Sequence, residues 1–266
     1  MKRYIFLSII LLALIPVSVV FYYKLDPAFL AKLSFYVDLA NPYMRIVKID
    51  EGLRKEEVAE VMGKKLDWNE KDKEAFVNAH LALNNENPEG RYFPKTYLIY
   101  KDETPEVVST TMFDEFSKQV DAVKKTKLKT INESTALKVA SIIQREAAGK
   151  GDMNLISGII WNRIWSGMKL QVDATLQYAK GNIDGGFGGW WEEVKSEDKK
   201  IDSPYNTYLH IGLPPGAISN PGIDAIAAAY NPQKTDCVFY LHDRNRNIHC
   251  SKTYEEHKRN IEIYLK

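Results

Sequence analysis

The chain has 266 residues, 45% of them hydrophobic, with 36 Lys and Arg against 35 Asp and Glu and a formal net charge of +1. That length allows one large domain, or a main domain with a small appendage, and it excludes disorder, collagen-like repetition and a disulfide-stapled miniprotein. The near-neutral balance shows no basic excess of the kind that marks a nucleic-acid binder, so no nucleic-acid partner is expected.

Between Lys2-Arg3 and Lys24 the run from Tyr4 to Tyr23 carries no charge. About 20 helical residues cross a bilayer core. Basic residues before the run and tyrosines at both ends predict a single-pass anchor over residues 1–24 with its N-terminus in the cytoplasm. Everything beyond it is then extracytoplasmic, on the outer side of the inner or plasma membrane. A cleaved signal peptide is the rival reading, but VVFYYK has no small-x-small cleavage site. Pro16 is tolerable in a membrane helix.

Residues 25–43 read as a connector. MRIVKID then reads as a strand and EGLRKEEVAEVMGKKL and EKDKEAFVNAHLAL as two helices, which together make a small unit over 44–85. The remainder, 86–266, reads as the main domain. NNENPEGRYFPKTYLIY is a loop feeding a short strand. Thr104-Pro105 opens a long helix to about Val123, with Val107, Val108, Met112, Phe113, Phe116 and Val120 as its buried stripe.

ESTALKVASIIQREAAGK is a helix whose apolar positions Leu137, Ala140, Ile143 and Ala147 follow helical spacing. Glu146 falls at the edge of that face in the last turn. Partial burial and the negative end of the helix dipole both disfavour a carboxylate there, so the group is suited to hold a proton near neutral pH, as a general acid must. The plainer reading is a solvated Glu paired with Lys150.

In the next helix Asp152 is the expected N-cap, Leu155, Ile156, Ile159, Ile160 and Ile164 the apolar stripe, and Gly167 the stop, with Asn162 and Arg163 on the flank. MKLQVDATLQYAKG runs from an extended piece into a short helix capped by Asp173. Residues 182–202 are Gly-rich, and Trp190 and Trp191 within them either stack on sugars or plug the core. A rigid Gly212-Leu-Pro-Pro-Gly216 turn is followed by Ser219-Asn220-Pro221 as the cap of the helix IDAIAAAY.

Cys237 and Cys250 flank a predicted hairpin that turns at Arg244 to Asn247. That register sets Cys250 opposite about residue 241, four residues from Cys237 or roughly 13 Å at strand rise, beyond disulfide reach. Two free thiols are the expectation. The five histidines form no metal-ligand motif. A capping box at Thr253 to Glu256 opens the last helix. Irregular alternation of helix and strand with an antiparallel hairpin gives an α+β fold class.

Several separated strings, VASIIQREA, IIWNRIWSGMKLQVDAT, SPYNTY, GLPPGAISNPG, SKTYEEH and EGRYFPKTYLI, together resemble the endolytic murein transglycosylases, the MltG/YceG-like family. Residues 182–202 and the connector fall outside the resemblance. It implies a membrane-proximal LysM-like subdomain at 44–85, a mixed α/β catalytic domain at 86–266, and peptidoglycan glycan strands as substrate. The implied reaction is endolytic cleavage between N-acetylmuramic acid and N-acetylglucosamine to leave 1,6-anhydro ends, terminating nascent strands beside cell-wall synthases as partners. No metal or organic cofactor is implied.

By motif position Glu146 is the implied acid/base, and Gln171, Asp173, Thr175, Tyr205, Asn206, Thr207, Ser219 and Asn220 are the implied sugar-binding residues. Two positions depart from the family pattern: Gln144 replaces the first Glu of a Glu-x-Glu pair, and Ala174 replaces the Pro of Asp-Pro-Thr. If the first Glu of the pair were the acid, this chain would be an inactive, membrane-anchored glycan-binding scaffold. A third reading makes Asp173 the second carboxylate of an ordinary hydrolase.

Overall fold

A computed structural model describes residues 40–84, 87–124, 131–185 and 189–266. The expected membrane anchor at 1–24, and the connector as far as residue 39, lie outside the described residues. Among the described residues no helix is long and apolar enough to cross a membrane.

Strand β1 (Met44–Lys48) is followed by helices α1 (Lys55–Leu66) and α2 (Glu70–Asn84) and by strand β2 (Thr96–Tyr100). The strands pair antiparallel, from Met44 opposite Tyr100 to Lys48 opposite Thr96. Alternation turns Val47, Tyr97 and Ile99 inward onto Val58, Met62, Leu66 and Phe76, a small core of its own. The boundary read at residue 85 therefore falls inside this unit, because its second strand comes after it and the pairing spans the boundary. At the end of α1, Asp67 stops the helix in a left-handed conformation at φ 58°.

Helix α3 (Pro105–Lys124) runs through both halves of the molecule. Its Val108 and Met112 complete the small core, and its Phe116, Val120 and Val123 enter the larger one. Thr104 caps it as the sequence predicts, its hydroxyl accepting the Val107 N–H.

The larger core is helical. It is built from α4 (Glu133–Glu146), α5 (Met153–Trp165), α6 (Asp173–Asp184) and α7 (Ile223–Tyr230). A second antiparallel pair, β3 (Phe239–His242) with β4 (Ile248–Ser251), lies against it and carries α8 (Tyr254–Tyr264), opened by the predicted capping box. Two separate strand pairs among helices make the α+β class.

The cysteines differ from expectation: Cys237 and Cys250 form a disulfide with Cα atoms 5.8 Å apart. The register sets Tyr240, not residue 241, opposite Cys250, and β3 begins only at Phe239. The residues before β3 are not an extension of the strand, so straight strand rise overstates the separation. Other caps differ as well. Val172, not Asp173, is the N-cap of α6, and Gly222, not Ser219 or Asn220, is that of α7. Asp152 makes no side-chain cap on α5; its carboxylate instead accepts the N–H groups of Ala148 and Gly149.

Candidate active site

Asn132 starts α4 by accepting the Thr135 N–H, and the apolar face of Leu137, Ala140 and Ile143 fixes the rotation of the helix against the core. Ala147 then turns extended, so the helix ends at Glu146. The Glu146 side chain is half-buried, and its Oε2 accepts a 2.5 Å hydrogen bond from the Tyr240 hydroxyl. The Lys150 pairing considered from sequence is absent, since Lys150 pairs with Asp224.

Burial is the main cause that raises the Glu146 pKa, and the negative charge of Asp173 raises it further. Against these, the Tyr240 hydroxyl, the Ala174 backbone N–H and His242 each lower it. Ala174 lies in the first turn of α6, so the positive end of that helix opposes the negative end of α4. The net direction is upward.

Tyr240 reaches Glu146 because α5 holds the segment before β3. Asn154, Gly158 and Asn162 recur every four residues and so share one face of α5. Asn154 donates to Asn231 O, and Asn162 donates to Thr235 O and Cys237 O at 2.8 and 3.0 Å. At Gly158 an added Cβ would stand 2.1 Å from Gln233 O, so no side chain fits between helix and segment. Arg163 donates from Nε to Val238 O at 2.5 Å and from Nη1 to Leu170 O at 2.6 Å, tying the residue before β3 to the stretch before α6. Within β3 the period of two sets Tyr240 and His242 opposite buried Leu241. His242 Nε2 lies 2.7 Å from Asp152 Oδ2.

Around Glu146 opens a cleft of about 390 Å³, lined also by Arg163, Leu170, Gln171, Val172, Asp173, Tyr208, Phe239, Tyr240, Tyr254 and His257. Asp173 Oδ1 accepts a 2.5 Å bond from the Tyr208 hydroxyl. Burial and the Asp173 carboxylate push the Tyr208 phenol upward, so it remains a donor.

Of the residues singled out from sequence, Glu146, Gln171 and Asp173 share this cleft. Gln171 is held at φ 53° and donates its N–H to Thr207 O. Thr175 and Thr207 are buried behind it, their hydroxyls 2.8 Å apart, and Thr207 Oγ1 accepts the Val172 N–H. Asn206 is buried, donating to Lys199 O and Ile201 O and accepting the Tyr208 N–H. Ser219 donates to Ser141 O. Asn220 donates to Leu53 O and accepts the Tyr92 N–H. These five side chains spend their polar groups inside the protein: Thr175, Thr207 and Asn206 fix the cleft's backbone, and Ser219 and Asn220 tie neighbouring segments together away from its lining. Tyr205 packs on the Tyr178 ring with centroids 4.8 Å apart, away from the cleft lining.

Trp190 and Trp191 cover cations. Arg54, 1% exposed, lies between the Tyr178 and Trp190 rings at 4.0 and 4.2 Å, and Arg145 lies 3.7 Å from the Trp191 ring. Gln144 accepts the Gly222 N–H at 2.9 Å. The sequence reading missed Tyr240, Tyr208, Phe239 and Tyr254. A signal was available for one of them, since a Tyr two residues from a His in a four-residue strand shares a face with it. It also missed Glu89, buried against Tyr178, Lys55 N–H and Asn220, with its carboxyl pushed up to about 8 by burial and by Glu56. Among the described residues no cluster of His, Cys, Asp and Glu is arranged to hold a metal ion.

Comparison with known proteins agrees with this architecture. The chain is 30% identical over 250 residues to the endolytic murein transglycosylase of Bacillus subtilis, covering 85% of this chain and 67% of that protein. It is 32% identical over 175 residues to the endolytic murein transglycosylase of Streptococcus pneumoniae, covering 65% of this chain but only 31% of that one. The crystal structure of a yceG-like protein from Listeria monocytogenes superposes with a TM-score of 0.68 at 28% identity, over 80% of this chain and 75% of that one. The profile of the YceG-like family matches residues 22–263, taking in the connector and the 182–202 tract that the motif strings left out. The chain belongs to the YceG-like family.

Proposed function

We propose that this protein is a peptidoglycan lytic transglycosylase that cleaves glycan strands internally between N-acetylmuramic acid and N-acetylglucosamine. The observation that carries the reading is Glu146: a half-buried carboxyl in an open cleft, held on one oxygen by Tyr240 and raised in pKa by burial. Relatives named endolytic murein transglycosylase support the reaction class.

In the proposed reaction protonated Glu146 gives its proton to the glycosidic oxygen as the bond from that oxygen to C1 of the muramic acid breaks. The sugar's own 6-hydroxyl attacks C1, and its proton passes to the Glu146 carboxylate, restoring the acid and leaving a 1,6-anhydro ring. Water takes no part, and the nucleophile is tethered to the reacting carbon, which is a proximity advantage. Tyr240 donates to one carboxyl oxygen and so steadies the carboxylate that forms midway. Gln171 and Asp173 face the same cleft and are assigned to the sugar hydroxyls and amides.

A single-pass anchor at residues 1–24 with the catalytic body outside the cytoplasm completes the reading, supported by the uncharged run from Tyr4 to Tyr23. The β1-α1-α2-β2 unit is assigned as the LysM-like subdomain, and cell-wall synthases as partners in ending nascent strands. Because Asp173 shares the cleft, a hydrolase with two carboxylates is the second reading.

Mass spectrometry of muropeptides after incubating the full chain with purified peptidoglycan separates these. Anhydro-muramyl products from the parent, reduced about a hundredfold or more in Glu146→Gln, are expected. Reducing ends would establish the hydrolase instead. No cleavage by a folded parent would leave a glycan-binding scaffold, and anhydro products undiminished in Glu146→Gln would remove that residue from the chemistry.

A further inference from the structure

The cleft that holds Glu146 is lined by residues of two kinds. Some are polar: Gln171 is exposed at the turn into α6, and Asp173 and Tyr208 are bonded to each other. Others are aromatic. Tyr254, the first residue of α8, lines the cleft and is 56% exposed, with the Lys258 ammonium one turn along the helix 5.1 Å from its ring centroid. Behind it Phe239 lies with its ring centroid 5.9 Å away. Phe239 is itself wedged, with the Arg163 guanidinium 5.1 Å from its centroid and the His257 ring stacked at 5.4 Å. Helix α8 has no buried residue, and the capping box fixes where Tyr254 stands.

A pyranose has the matching anisotropy. Its ring hydrogens present two apolar faces, and its hydroxyls and acetamido group point outward near the ring plane. A cleft lined by an aromatic ring as well as by amide, carboxylate and phenol groups offers a partner to each. We infer that Tyr254, braced by Phe239, is a stacking platform for one N-acetylated pyranose of the glycan beside Glu146. Neither residue was assigned a binding role from the sequence, and the assignment rests on the glycan reading of the same cleft.

The test uses the full chain in detergent, in a Glu146→Gln background so that nothing turns over. Binding of a β-1,4-linked N-acetylglucosamine oligomer is titrated for that protein and for its Tyr254→Ala, Tyr254→Phe and Tyr254→Trp versions. Stacking of this kind predicts a Kd weakened about three- to tenfold by Ala and kept within about twofold by Phe and Trp. In the active chain, Tyr254→Ala should raise KM on peptidoglycan by a like factor with kcat little changed, since the ring holds ground state and transition state alike. Thermal melting checks that the Ala variant is folded, which its exposure favours. Binding that survives Tyr254→Ala, or is lost equally in all three variants, overturns the platform, and so does an oligomer that does not bind at all. Tyr254-dependent binding by a parent that cleaves no peptidoglycan overturns the transglycosylase reading and leaves the platform standing.

Discussion

At Glu146 opposing influences are resolved by magnitude. Burial and Asp173 raise its pKa, and Tyr240, the Ala174 N–H and His242 lower it, with burial the largest. Tyr240→Phe removes the side-chain donor and should raise the pKa further. A general acid works while protonated, so the alkaline limb of kcat/KM should move to higher pH while the plateau rate falls about tenfold from lost positioning. A pH–rate profile reads both, and an unmoved limb would show that Tyr240 does not tune this carboxyl. Helical spacing set Glu146 at the edge of an apolar face, and its place in the motif VASIIQREA is what singled it out from an ordinary surface Glu. Tyr240 was hidden because its partner is 94 residues away in the chain, and no local pattern encodes that. Asn206, Ser219 and Asn220 looked like ligand-binding residues for a related reason. Motif position marks a residue as belonging to the site, but only packing decides whether its polar atoms face the ligand or hold the backbone.

At the level of elements, the hairpin β3–β4 is in place because α5 offers a groove to the chain before it. Asn154, Gly158 and Asn162 form that groove, and the predicted apolar stripe of α5 lies on other faces. Gly158→Ala should gain up to about 1 kcal/mol of helix propensity. It must also push Gln233 O away from a Cβ at 2.1 Å. Overpacking of this sort costs about 1–3 kcal/mol, so net destabilisation is expected, together with lower activity because Tyr240 rides on the displaced segment. Thermal unfolding and turnover measured on one preparation check it; a more stable variant would mean that the segment yields freely. Most helices here were legible from their apolar period, and the caps only at Thr104 and Thr253. The antiparallel pairing of β1 with β2 was not, because strands separated by two helices leave no turn signature between them.

Across the whole molecule, the small unit and the larger body meet through buried polar groups. Asn220 joins Leu53 to Tyr92, Gly52 donates to Asn220 O, and Arg54 inserts between Tyr178 and Trp190. Glu89 sits in this seam, its oxygens facing Lys55 N–H, the Tyr178 hydroxyl and Asn220. Its folded pKa of about 8 stands above the ordinary 4.5. A raised carboxyl favours the folded state while protonated, so its contribution is complete below about 4.5 and is lost as pH rises through about 8. Glu89→Gln cannot ionise, and the difference in melting temperature between parent and variant should therefore shift in the parent's disfavour across that window. Parallel pH curves for the two proteins would place the proton elsewhere.

The bond between Cys237 and Cys250 also has a practical side. An oxidising compartment closes such a bond, and a reducing one leaves two thiols. Chains of one sequence made by the two routes are then different molecules, separated by two hydrogens in mass. In the reduced form the segment carrying Tyr240 loses its covalent tie to β4 and keeps its pairing with that strand and its hydrogen bonds to α5. Specific activities from such preparations become comparable only after their thiols have been counted.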